Sequence, residues 1–316
     1  MAMRIVFCGT PEFAIPSLRR LLRDPYFTVE AVVTQPDRPR GRGQAVSSSP
    51  VKEAALEAGT YVYQPEKIKE DSAFDFFKRI APDAVVIIAY GQIVPFRLIE
   101  IPRLGWINLH ASLLPKYRGA APIAWAIANG ETMTGLTTMQ IDAGMDSGPI
   151  LLQREIAIAP GEAAPEVARR LSEAGAPLMA DSLRKLDQGE IRAVPQDASQ
   201  ATYAPLLEKE HGRIDWSRGA PQISNRMRGF APWPGAYTIF RGQICHIWGH
   251  PADSAVAATH TEIPGSLFSA AGTVYVVCGE GTCLALEAVQ IEGRKRVTSR
   301  EFINGAHLAP DERFGA

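Results

Sequence analysis

The chain has 316 residues, 46% of them hydrophobic and 21% charged, with a formal net charge of −1. That is enough apolar material for two domains with cores of their own, and the near-zero balance excludes a chain whose overall charge recruits nucleic acid. No apolar run approaches the roughly 18 residues of a membrane span, and "MAMRIVFCGT" has neither the apolar length nor the small-residue cleavage site expected of a secretory leader. The expectation is a cytoplasmic protein with no membrane partner. Four scattered cysteines, Cys8, Cys245, Cys278 and Cys283, include no CxxC pair, so free or structural thiols are expected rather than a disulfide framework. "CHIWGH", with Cys245, His246 and His250, matches no common zinc spacing, and no metal site is expected.

In chain order, "RIVFCG" (4–9), "VEAVVTQ" (29–35), "DAVVIIAY" (83–90), "WINLHAS" (106–112) and "GLTTMQID" (135–142) read as strands, separated mostly by helix-like segments. This alternation predicts an α/β fold, a Rossmann-like and mostly parallel sheet with helices on both faces. Pro11 offers a first helical position ahead of Phe13, Leu18, Leu21 and Leu22, with Pro16 disturbing the early hydrogen bonds. Ser49 and Pro50 cap and start a helix that Gly59 ends. A long amphipathic helical region is expected from Pro165 to Gly189, broken or kinked near Gly175 to Pro177. The polar, turn-rich "VPQDASQATYAP" (194–205) reads as a linker. A short helix near 220–230 follows, then short strands and a hairpin around "GEGT" (279–282), the pattern of a smaller OB-like β-barrel domain. The expected division is a catalytic domain over 1–190, a linker over 191–208 and a C-terminal domain over 209–316.

Ligands of an open parallel sheet bind beyond the carboxyl ends of its strands. The unusual residues follow those ends: Gly9-Thr10, Asp37 to Gly43, Gly91-Gln92, His110 to Pro115, and Asp142 to Gly148. "CGTPEFA" after the first strand lacks GxGxxG, which argues against a dinucleotide enzyme. Asn108 and His110 stand two apart and so project from one face of a strand. A histidine side chain titrates near neutrality, and an asparagine amide donates a hydrogen bond without charge. The plainer reading is a satisfied core histidine and a capping asparagine. "DAGMDSG" adds Asp142 and Asp146 in a loop that can turn back toward His110, although Asp142 also suits an Asx turn. Asn, His and Asp together would make a small acid/base and oxyanion site. No Ser or Cys sits beside that His as a nucleophile, which favours direct attack by a substrate amine. Basic residues cluster at Arg38, Arg40 and Arg42, at Arg226 and Arg228, and at Arg294 to Arg296 with Arg300 following. Each alone reads as a solvated loop.

"GTPEFA", "TQPDRPRGRG", "SPVK", "AYGQIVP", "INLHASLLPKYRGAAPI", "DAGMDSG", "RIDW" and "APWPGAY" together resemble the methionyl-tRNA formyltransferases, through nearly the whole chain. The Asn-x-His with SLLP and the later Asp-x-Gly-x-Asp-Ser-Gly are shared by the wider family that transfers formyl from 10-formyltetrahydrofolate. The resemblance implies a Rossmann-like catalytic domain, an OB-like tRNA-binding domain, and formylation of the α-amino group of methionine on initiator Met-tRNA, with tetrahydrofolate released; nothing in the sequence demands more than a monomer. It assigns catalysis to Asn108, His110 and Asp146. It assigns folate contacts to Ser112, Leu113, Leu114 and Pro115, with Tyr90, Gly91 and Gln92 bordering them, and tRNA contact to Arg42 supported by Arg38 and Arg40. Gln44, Ala45 and Val46 stand where family members often carry lysines, which makes this loop less basic. The alternatives are a formyltransferase of the same donor chemistry acting on a small amine such as an amino-sugar nucleotide, and a folate-binding protein without catalysis. An RNA-binding protein built on the C-terminal domain has less support, because no clustered aromatics there are assignable to base stacking.

Overall fold

The structure, a computed structural model, describes residues 2–40, 45–257, 263–309 and 312–315. Its first elements are β1 (Met3–Gly9), α1 (Ile15–Arg23), β2 (Phe27–Val33), β3 (Arg38–Arg40), β4 (Ala45–Ser47), α2 (Pro50–Glu57), β5 (Val62–Tyr63) and α3 (Asp71–Ile80). Next come β6 (Ala84–Ile88), α4 (Phe96–Ile99), β7 (Trp106–His110), α5 (Pro122–Ala128), β8 (Met133–Gln140), β9 (Ile150–Ala157) and α6 (Ala164–Asp187). One sheet runs in the order β5-β2-β1-β6-β7-β8-β9. Its first five strands are parallel, and β8 and β9 are antiparallel. β6 reads Ala-Val-Val-Ile-Ile and is buried at every position, as a parallel strand covered on both faces must be.

Local chemistry sets the helix ends. Ser49 caps α2 by accepting from the Lys52 N–H at 3.1 Å, and Pro50 sits where its missing N–H costs nothing. Pro16 has the same role in α1, so that helix begins at Ile15 after a short 3-10 turn rather than at Pro11. α6 is one helix with Pro177 inside it, not two pieces. Gly175 lets it approach the sheet: a Cβ there would lie 2.5 Å from Leu109 Cδ2. Leu109 thus faces α6, while Trp106, Asn108 and His110 alternate onto the opposite face. Trp106 fills the buried end of that face against Phe77, and its indole N–H donates to the Leu98 carbonyl at 2.7 Å.

The chain divides into two compact units. The first holds Met1–Pro122, Met133–Ala157 and Glu166–Pro205. The second holds Ile123–Thr132, Ile158–Pro165 and Leu206–Ala316. The stretch expected as a linker is therefore attached, up to Pro205, to the first unit. In the second unit the chain continues as α7 (Ala220–Gly229), β10 (Tyr237–Phe240), β11 (Gln243–Pro251), α8 (Ser254–Ala257), β12 (Leu267–Ala270), β13 (Thr273–Val277), β14 (Cys283–Ile291), β15 (Val297–Thr298) and α9 (Ser299–Ala306). Its antiparallel sheet runs β10-β11-β14-β13-β12, with β15 on β14. The expected "GEGT" hairpin is the β13–β14 pair. Phe240, Cys245, Ile247, Val274, Val276, Leu284, Leu286, Val289 and Phe302 from these strands and α9 converge on one core with Trp216 and Ile223. All four cysteines are buried and free, and burial pushes the Cys245 thiol up to about 11 and Cys278 up to about 12. No helix among the described residues is long and apolar enough to cross a membrane, and none of them groups three metal-ligating side chains.

Candidate active site

β7 carries the reactive pair. His110 is 6% exposed, and its Nε2 lies 2.9 Å from the Tyr117 carbonyl. A carbonyl only accepts, so Nε2 holds the hydrogen and Nδ1 is the ring nitrogen left for proton chemistry. Nδ1 stands 3.6 Å from Asp146 Oδ2. That carboxylate oxygen also accepts from the Gly119 N–H at 2.8 Å. Asp146 adopts a left-handed φ of 48°, a conformation that Asp tolerates better than most side chains. The Asn108 side chain, half-buried beside the pair, has no hydrogen-bond partner among the described residues. Its amide is free to meet a ligand. His110 and Asp146 are thus brought together, with Asn108 on the same face of β7 two residues before the histidine.

Asp146 reaches this place by a route that strand order alone does not reveal. β8 runs antiparallel to β7, with Gln140 beside Ile107 and Thr137 beside His110. The end of β8 is therefore at the opposite edge from the parallel strand ends, and the 141–149 loop folds back to bring Asp146 to His110. Asp142 serves the loop itself. Its Oδ1 accepts from the Gly144 N–H at 2.9 Å and from the Ser147 hydroxyl at 2.9 Å, closing the Asx turn.

The SLLP segment is held mainly from within. Ser112 is fully buried and donates to the Lys116 carbonyl at 2.6 Å. Thr137 Oγ1 donates to the Ser112 carbonyl at 2.7 Å and accepts from the Leu114 N–H at 3.1 Å. Leu113 lies over Gly135 of β8, whose missing Cβ would be 2.5 Å from Leu113 Cδ2. Leu114 is 3% exposed and precedes a cis peptide bond to Pro115. The side chains of Ser112, Leu113 and Leu114 thus shape the segment more than they offer surface. Tyr90 likewise turns its side chain into the core, where its hydroxyl has no partner among the described residues and burial raises its pKa. Its carbonyl faces Thr10 and Gln35, accepting from Thr10 Oγ1 at 2.9 Å and Gln35 Nε2 at 3.1 Å. Gly91 has a φ of 91°, and Gln92 accepts from the Ile68 N–H at 2.7 Å.

The basic loop after β2 is a two-stranded ribbon, β3 against β4. Arg38 is exposed on it, Arg40 is the last residue of β3, and Arg42 lies outside the described residues. The base of the ribbon is anchored: Lys52 and Gln64 both bind Asp37 and hold its carboxyl below the usual range.

Other groups came without a sequence signal. Residues 194–204 return over the 115–121 loop as a strap. Val194 exchanges two backbone bonds with Ile150, both 2.8 Å. The Tyr117 N–H donates to Thr202 Oγ1 at 2.9 Å, the Arg118 N–H to the Thr202 carbonyl at 2.8 Å, and the Ala204 N–H to the Arg118 carbonyl at 2.7 Å. The Tyr117 carbonyl that orients His110 is placed by these bonds.

A Rossmann-like sheet carrying an Asn-x-His strand with an aspartate folded back onto the histidine, followed by a small antiparallel unit, defines a transferase class. The chain belongs to the formyl transferase family: residues 3–183 match "Formyl transferase" and residues 206–307 "Formyl transferase, C-terminal domain". It is 53% identical over 314 residues, 99% of both chains, to the methionyl-tRNA formyltransferase of Koribacter versatilis. It is 50% identical over 315 residues to that of Acidobacterium capsulatum, covering 99% of this chain and 100% of the relative. Among solved structures, the N-formyltransferase of Helicobacter canadensis in complex with folinic acid and dTDP-3-aminofucose shares the fold, with a TM-score of 0.64 at 18% identity, over 90% of this chain and 99% of that one.

Proposed function

We propose that this chain transfers the formyl group of 10-formyltetrahydrofolate to the α-amino group of methionine on initiator tRNA, acting as a monomer in the cytoplasm. The observation that carries the chemistry is the approach of His110 Nδ1 to Asp146 Oδ2, 3.6 Å, beside the unengaged Asn108 amide. The acceptor rests on the relatives, methionyl-tRNA formyltransferases that match this chain over 99% of its length.

The neutral amine attacks the formyl carbon, a C–N bond forms, and the carbonyl oxygen takes up negative charge. Asn108 donates a hydrogen bond to that oxygen. The attacking nitrogen must lose a proton, and His110 accepts it through Nδ1 because Nε2–H is held by Tyr117. Asp146 beside it stabilises the imidazolium. His110 then returns the proton to N10 of the folate as the C–N10 bond breaks, which balances the transfer and releases tetrahydrofolate. Tyr90, Gly91, Gln92 and the 112–115 segment border the folate through their backbone and shape. Arg38, Arg40 and Arg42 contact tRNA phosphates.

The test is formyl transfer to charged initiator tRNA, with elongator Met-tRNA, uncharged tRNA and a dTDP-linked amino sugar as parallel acceptors. Formylation confined to the charged initiator is the expected result; transfer to the sugar alone would overturn the acceptor. Asn108→Ala should lower kcat by about a hundredfold, the usual loss of one oxyanion donor. Unchanged turnover in that variant would remove Asn108 from the mechanism.

A further inference from the structure

The side chains of Arg118 and Gln196 are used by nothing described so far, yet they stand directly behind Asp146. Arg118 is 6% exposed, and its side chain finds one acceptor among the described residues: Nε and Nη2 both donate to Gln196 Oε1, at 3.1 and 2.7 Å. A guanidinium only donates, so this fork fixes which end of the Gln196 amide is oxygen. The amide nitrogen must then point the other way. It donates to the Asp146 carbonyl at 2.8 Å and to the Gly148 carbonyl at 2.7 Å, using both of its hydrogens. The amide is completely satisfied in a single orientation, and it clips the turn at Asp146 itself and two residues beyond, at Gly148.

The arrangement has a reason in topology. The 141–149 loop must fold back from the far end of β8, with Asp146 at a φ of 48°. Ladder bonds cannot secure such an excursion, so side chains must. Gly119 N–H holds the carboxylate end at 2.8 Å, and Gln196 holds the backbone end. Both anchors meet in the strap, because Arg118 bonds to it through its backbone as well as its guanidinium.

We infer that Gln196 is a positioning residue for formyl transfer, locked by Arg118, which sets the distance between Asp146 and His110. This rests on the reading of Asp146 as the partner of His110 in that reaction. A displacement of about 1 Å at a catalytic group is enough to cost on the order of a hundredfold in rate.

The experiment compares Gln196→Glu, Asp146→Asn and the double variant in the full chain, measuring kcat, KM for both substrates, and Tm. Glutamate keeps the shape and still accepts from Arg118, but it has no N–H for the Asp146 and Gly148 carbonyls. Gln196→Glu is expected to lower kcat about tenfold or more, with both KM values within about threefold of the parent. In the Asp146→Asn background the same change is expected to add less than about twofold, since the group it positions is already disabled. A parent-like kcat, or an equal loss in both backgrounds, would overturn the inference while leaving Asp146 in place. If Asp146→Asn itself turns over normally, the underlying mechanism fails instead. Should Gln196→Glu not fold, Arg118→Lys against Arg118→Met reads the same strut: lysine can still donate to Oε1 and is expected to recover at least about half of the turnover that methionine loses. Equal turnover in the two variants would count against the lock.

Discussion

At Gly119 the backbone has a φ of 117°, and a Cβ there would lie 2.7 Å from the Ala204 carbonyl oxygen. Both facts oppose any side chain: the conformation disfavours L-residues, and the obstacle is backbone of the strap rather than a movable side chain. The same residue donates the N–H that holds Asp146 Oδ2. Strain at Gly119 therefore reaches the carboxylate without touching its chemistry. Gly119→Ala is expected to cost about 1–3 kcal/mol of stability and to lower kcat about tenfold, with the KM for folate little changed. Thermal melts and initial rates check both parts, and a variant with parent-like kcat would show that the Gly119 N–H is dispensable for placing Asp146.

Strands buried on both faces, such as β6, were legible because β-branched residues at nearly every position leave few other solutions. α2 was legible because Ser49 and Pro50 carry their own capping chemistry. β9 escaped, since "ILLQREIA" is largely exposed and shows neither a continuous apolar run nor alternation. Asn108 and His110 could be paired from spacing alone, as strand geometry puts i and i+2 on one face. Gln196 could not, because its role comes from where a polar stretch crosses the fold, and polar composition reads as linker whether or not its backbone is bonded. The antiparallel turn of β8 was hidden for the same reason: direction depends on partners. The C-terminal end of α6 shows another long-range dependence. Asp187 there receives a hydrogen bond from Arg103, which also binds Asp83, and Tyr26 donates to it at 2.7 Å. The Arg103 bond, helped by Tyr26, holds the Asp187 carboxyl below its usual range. Its stabilisation is thus present above the unfolded value of about 3.9 and is lost as pH falls through the lower folded value. Arg103→Met is expected to lower Tm by about 2 °C near pH 7, a difference that closes below about pH 4. A gap that stays constant into acid would mean lost packing rather than lost charge pairing.

Each compact unit is assembled from three chain segments, so the polypeptide passes between them at five junctions. Two short insertions, Ile123–Thr132 and Ile158–Pro165, belong to the second unit although they lie within the first 190 residues. Their packing explains why. Trp125 meets Phe230 edge to face at 5.2 Å, and Gly229 comes so close to α5 that a Cβ would lie 2.5 Å from the Ala124 carbonyl oxygen. Phe230 is 1% exposed with this cover in place. Arg228 donates to the Glu162 carbonyl at 2.7 Å, tying the second insertion to α7. A fragment covering 206–316 keeps its sheet core but loses these partners. Phe230→Ala should therefore cost about 3 kcal/mol in the full chain, as for a buried aromatic, and markedly less in the fragment, where Trp125 is missing. Denaturant unfolding of the four proteins, followed by a probe of the second unit, measures both differences. An equal cost in chain and fragment would mean that the insertions add nothing to the second unit's stability; a large gap between them would place part of that stability in residues written a hundred positions earlier in the sequence.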